Sequence, residues 1–132
     1  MVELLVTLAI TVFGFAALLA SNKVLSGGTA SAGRAQEAST IGVQTLESLR
    51  ARRVQDLTTE LTGSPISTPP FSRPSYATVA GRNGVTYTVD VDVAEVSSTL
   101  WRLRTTVGWT DDDTGAPRAL PLELVRSIRE EL

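Results

Sequence analysis

The sequence predicts an α+β protein: a long N-terminal helix, membrane-spanning in its first half, whose second half packs on a small antiparallel β-sheet. Three observations predict it. The first 20 residues are an apolar run with a single acid. Residues 34–62 then space their apolar side chains at the three-to-four interval of one helix face. From residue 76 onward the interval drops to two, the signature of strands with one face buried.

The head of the chain reads Met1-Val-Glu-Leu-Leu-Val-Thr-Leu-Ala-Ile-Thr-Val-Phe-Gly-Phe-Ala-Ala-Leu-Leu-Ala20, and no ionisable side chain follows Glu3 until Lys23. At ~1.5 Å per residue such a helix covers roughly the ~30 Å hydrocarbon thickness of a bilayer, so residues 1–22 are assigned as a transmembrane segment. A secretory signal peptide is the competing reading. It wants a basic start and a shorter apolar centre, whereas this segment opens on an acid and runs long. An acid inside a membrane costs about 2.5–3.5 kcal/mol at the bilayer centre and less at its edge, so Glu3 requires a partner or a place in the headgroup zone.

Residues 23–62 form a hinge and an amphipathic continuation of the helix. Ser26, Gly27, Gly28, Ala30, Ser31 and Gly33 make the start of this stretch small and polar. Each helical glycine costs about 0.8–1 kcal/mol relative to alanine, which makes Gly27 and Gly28 the weakest point and leaves Gly14 as the one breaker inside the anchor. The helix then resumes. Ala35, Ala38, Ile41, Thr45, Leu46, Leu49, Arg53, Leu57 and Leu61 fall on the stripe expected to meet the sheet, with Glu47, Arg50, Arg52, Gln55, Asp56 and Glu60 facing outward. Arg50, Arg52 and Arg53 cluster where a helix C-terminus favours cations, which explains them without a ligand. Gly63 and Pro65 end the helix.

Residues 63–75 contain Pro65, Pro69, Pro70 and Pro74 and are expected to be a connector with Phe71 tucked onto the domain. Residues 76–132 are the antiparallel β head. Strands are expected over 76–80 and 85–96, joined through Gly81-Arg-Asn-Gly84, with Val85, Tyr87, Val89, Val91 and Val93 on the buried face. Asp90 and Asp92 fall on the wet face and need no metal to explain them. Further strands are expected over 100–109 and 118–125. Pro121 has no donor for a ladder, so the last strand belongs at an edge. The turn between them, Asp111-Asp-Asp-Thr-Gly-Ala-Pro117, offers Asp111 and Asp113 as weak candidates for a cation, without the alternating acids of a helical calcium loop. A charged tail closes the chain.

Composition excludes several function classes. Cysteine and histidine are both absent, which removes disulfides, thiolate metal sites, the usual neutral-pH general base and every Ser-His-Asp or Cys-His arrangement. Lys23, beside the anchor, is the lone lysine. No enzyme activity and no cofactor is expected. Twelve basic and fourteen acidic residues leave a formal charge of −2, and no basic face of the kind nucleic-acid binding demands is present in the sequence pattern.

Val2-Glu3-Leu4-Leu5-Val6-Thr7-Leu8-Ala9-Ile10 resembles the start of mature type IV pilins and secretion pseudopilins, which runs Phe-Thr-Leu-Val-Glu-Leu-Leu-Val. Val107-Gly-Trp-Thr-Asp111, followed by a glycine-containing turn and a last strand, is similar to the end of minor pilins of the PilV type and of a related minor pseudopilin of type II secretion. Together with the order helix, loop, hairpin and strand pair, the resemblance spans most of the chain and implies a pilin-like fold.

What it implies is a minor structural subunit of a pilus-like filament. The family's partners are other pilin or pseudopilin subunits, the inner membrane, a prepilin peptidase that cuts a basic leader and methylates the new N-terminus, and an assembly platform. Glu3 corresponds to the family's glutamate, implying a pairing with a neighbour's N-terminal amine that sets axial register. Leu4, Leu5, Leu8, Ile10, Val12, Phe13, Phe15, Leu18 and Leu19 become filament-core packing residues, and Gly14, Gly27 and Gly28 hinges. The chain departs from the pattern in three ways: Glu3 lacks the preceding phenylalanine and threonine, the anchor has no proline, and there is no C-terminal cysteine pair. A few basic residues ending Gly-Phe-Thr immediately ahead of Met1 would nearly settle the family. Lys23 and Arg34 alone would place the head inside the cell, and a basic leader reverses that, putting the head outside the cytoplasm. Two alternatives stand beside this reading. One is a type II secretion minor pseudopilin. The other is a membrane-tethered binding or adhesin domain, for which Phe71, Tyr76, Trp101 and Trp109 would have to supply an exposed patch.

Overall fold

The structure, a computed structural model, describes the backbone of residues 2–65, 67–112 and 114–128, and their side chains apart from those of 2–10, 23–26 and Asn83. The described elements run, in order, α1 (Val2–Arg50), α2 (Val54–Thr62), β1 (Phe71–Ala80), a 3-10 turn (Arg82–Gly84), β2 (Thr86–Ser97), β3 (Leu100–Thr110) and β4 (Pro117–Ser127). The chain divides into two units, residues 1–34 and 35–132.

In the first unit the described backbone is α-helix throughout. It stays helical at Gly14, Gly27 and Gly28, so the expected weak point is not an interruption. A propagating helix adds a hydrogen bond per residue, which carries it across isolated glycines that would not nucleate one.

The second unit is an α+β domain. Its four strands form an antiparallel meander in the order β1-β2-β3-β4, and the last 16 residues of α1, from Ala35 to Arg50, share its core. The alternation in β2 works as the sequence predicts. Val85, Tyr87, Val89, Val91 and Val93 are all buried, and Thr86, Thr88, Asp90 and Asp92 point the other way. Val107 and Leu103 of β3 lie opposite Val89 and Val93 in register, extending the same apolar wall. Against that wall α1 sets Ala38, Leu46 and Leu49, with Ile41 partly buried beside them.

Gly42 is buried in that seam and explains how close the helix comes. A Cβ there would lie 2.3 Å from Leu122 Cδ1 and 3.2 Å from Val107 Cγ2, so any larger residue pushes against β3 and β4. Thr105 faces the same seam, fully buried, and among the described residues its Oγ1 is the buried side-chain oxygen with no hydrogen-bond partner.

Three boundaries differ from expectation. The helix predicted over residues 34–62 is broken at 51–53, with no glycine or proline to break it. After the break α2 buries Leu57, Thr58 and Leu61, and Arg52 at the break pairs with Glu60. Arg53, assigned to the buried stripe, is instead the exposed residue from which α2 starts. Gly63 ends α2 as expected, at φ 78° with its N–H donating to the Thr59 carbonyl at 2.8 Å.

The second difference is that β1 begins at Phe71, inside the stretch expected to be connector. Pro74 is accommodated because β1 is an edge strand and its pairing with β2 shifts between Arg73 and Ala77. Ser75, at φ 50°, turns the bulge, and its N–H donates to Asp90 Oδ1 at 2.7 Å. The third is at the other edge, where β4 runs on to Ser127 and Ile128 is buried, its N–H donating to the Thr99 carbonyl at 2.9 Å. Both edges thus carry prolines, Pro74 on β1 and Pro117 and Pro121 on β4, each removing a backbone donor that another strand would pair with.

Candidate functional site

The apolar face of α1 is the feature that its own unit leaves unexplained. Val12, Phe13, Phe15, Leu18 and Leu19 are 61%, 75%, 65%, 67% and 70% exposed. At about 100° per residue these five spread over about 220° of the helix circumference, wider than the stripe of an amphipathic helix lying on a core, and the remaining side carries Gly14 and Ala17. A helix apolar all round is stable when something covers it on all sides, either hydrocarbon or other helices. Among the described residues no helix is long and apolar enough to cross a membrane. The side chains of Glu3, Leu4, Leu5, Leu8 and Ile10, the first half of the expected anchor, lie outside the described residues.

Within the head, carboxylates tie loops to helices. Glu37 of α1 accepts from the Arg82 backbone N–H through Oε1 and from the Tyr87 hydroxyl through Oε2, each at 3.0 Å. This holds the β1–β2 turn against α1. The turn itself uses the positive φ of 78° at Gly84, the last residue of the 3-10 segment. Neither contact was legible beforehand, because an isolated Glu between Gln36 and Ala38 looks like any solvated helix position.

Glu60 does the same at the other end of the head. The sequence placed it, with Arg52, on the outward face. In the structure its carboxylate accepts from the Tyr76 hydroxyl at 2.6 Å and pairs with Arg52, while its backbone carbonyl accepts from Arg73. The Arg73 guanidinium also lies 5.8 Å from the Tyr76 ring centroid. Arg52 therefore belongs to a clamp across the α1–α2 break. Arg50 pairs with Glu47 at 3.6 Å on the surface, a contact of little energetic weight. The three arginines do not form one binding site. Arg126 of β4 reaches the end of α1, donating to the Leu49 carbonyl at 3.3 Å.

The four aromatic residues that an adhesin surface would need are engaged by the fold. Trp101 is buried and meets Phe71 edge-on at 6.1 Å between centroids, and Trp109 packs on the buried Tyr87 at 6.0 Å. Tyr76 is held by Glu60. Among the described residues the exposed large apolar side chains of the head are instead Val43, Val96, Leu100 and Val125. Val43 lies on α1, and Val96, Leu100 and Val125 lie on the outer side of β2, β3 and β4. The outer sheet face also carries charged residues, with Arg104 opposite both Asp92 and Glu123 in register and its Nε 3.8 Å from Glu123.

The candidate cation turn is built around its own backbone. Asp111 is 4% exposed, its N–H donates to the Ala116 carbonyl at 2.9 Å, and its carbonyl accepts from Gly115 at 2.6 Å. Its carboxylate faces Arg118, whose Nε lies 3.9 Å away. Asp113 lies outside the described residues. Among the described residues no three His, Cys, Asp or Glu side chains converge to hold a metal.

Comparison with protein-family models, with curated proteins and with solved structures gives no significant match.

Proposed function

We propose that the protein is a minor structural subunit of a type IV pilus-like filament. Its N-terminal helix holds it in the inner membrane before assembly and packs against the same helix of neighbouring subunits afterwards. The observation that carries this reading is the exposure of Val12, Phe13, Phe15, Leu18 and Leu19 on α1, while the described core of the head draws on residues from Ala38 to Ile128. Fully covering one such side chain is worth about 1.5–3 kcal/mol, so five of them supply a large drive toward lipid or toward other apolar helices. One surface then serves both states, and leaving lipid costs little when the replacement is equally apolar.

The architecture supports the reading: a long helix whose second half lies on an antiparallel sheet is the form the resemblance implies. Glu3 takes the role of register residue. Its carboxylate meets the N-terminal amine of an adjacent subunit, and each charge offsets the other's desolvation. The adhesin alternative loses its support, because the aromatic residues it required pack into the head or onto Glu60.

The test is fractionation of the full chain in cells that assemble such filaments. The wild type is expected in the membrane pellet after alkaline carbonate washing and in sheared filaments after assembly. Leu18→Arg should lower recovery in both fractions, and Glu3→Ala should stay in the membrane but be depleted from filaments. A wild-type chain that washes free of the membrane would overturn the proposal. Full recovery of Glu3→Ala in filaments would overturn the register role alone.

A further inference from the structure

We draw no further inference here: the strongest candidate, the exposed apolar patch of Val96, Leu100 and Val125 beside Arg102 at the β2–β3 turn end of the sheet's outer face, carries nothing because nothing in the structure shows what covers it.

Discussion

Gly42 sets how closely α1 approaches the sheet, and replacing it with alanine puts two opposing effects in one experiment. Alanine gains about 0.8–1 kcal/mol of helix propensity over glycine. Against this, the new Cβ would sit 2.3 Å from Leu122 Cδ1 and 3.2 Å from Val107 Cγ2, and overpacking of this kind costs about 1–3 kcal/mol. Leu122 is a partly buried residue of an edge strand and can rotate aside, whereas Val107 is fully buried and β-branched and yields less. The steric cost wins by a small margin, so Gly42→Ala should lose on the order of 1 kcal/mol. In a Leu122→Ala background the main clash disappears, and the same substitution should become neutral or stabilising. The coupling in this double-mutant cycle is expected to be on the order of 1–2 kcal/mol. Urea unfolding followed by tryptophan fluorescence measures it, because Trp101 and Trp109, the chain's two tryptophans, both lie in the head. Equal losses in the two backgrounds, additive within about 0.5 kcal/mol, would refute the close-approach argument.

Three further outcomes follow from the same packing. Thr105→Val removes a buried hydroxyl with no partner and keeps the side-chain shape, so it should stabilise the head by about 1 kcal/mol in the same unfolding assay; a loss of stability would mean that the hydroxyl is paired in solution. Glu37→Ala removes the carboxylate that accepts from the Tyr87 hydroxyl and the Arg82 N–H and should cost about 1–3 kcal/mol, with faster amide exchange confined to the β1–β2 turn. Leu57→Ala empties a fully buried position and should cost about 2–5 kcal/mol. Because α2 depends on that contact, trypsin should cut the variant faster after Arg52 or Arg53 than it cuts Glu47→Ala, which touches only the surface.

The places where the structure departs from the sequence reading share a cause. The break at 51–53 has no local signal, since Ala51, Arg52 and Arg53 are good helix formers. It lies where Arg52 pairs with Glu60, and beyond it Leu57 and Leu61 join the core of the head. β1 begins at Phe71 despite Pro74 because an edge position and a bulge excuse the missing donor. Glu60 turns inward because Tyr76, 16 residues away, and Arg52 converge on it. Each is a contact between distant positions, and periodicity within a window contains no such information.

By contrast, the sequence by itself determined the apolar N-terminal helix, the valine face of β2, the turn at 81–84, and the edge position of the strand bearing Pro121. These follow from side-chain period and from backbone rules at proline and glycine, both of which act over a few residues. Tertiary structure alone decided where α1 stops, how near Gly42 lets it lie, and which carboxylates clamp rather than face water. Those outcomes depend on which surfaces meet when helix and sheet pack, and that is settled by the mutual fit of elements far apart along the chain.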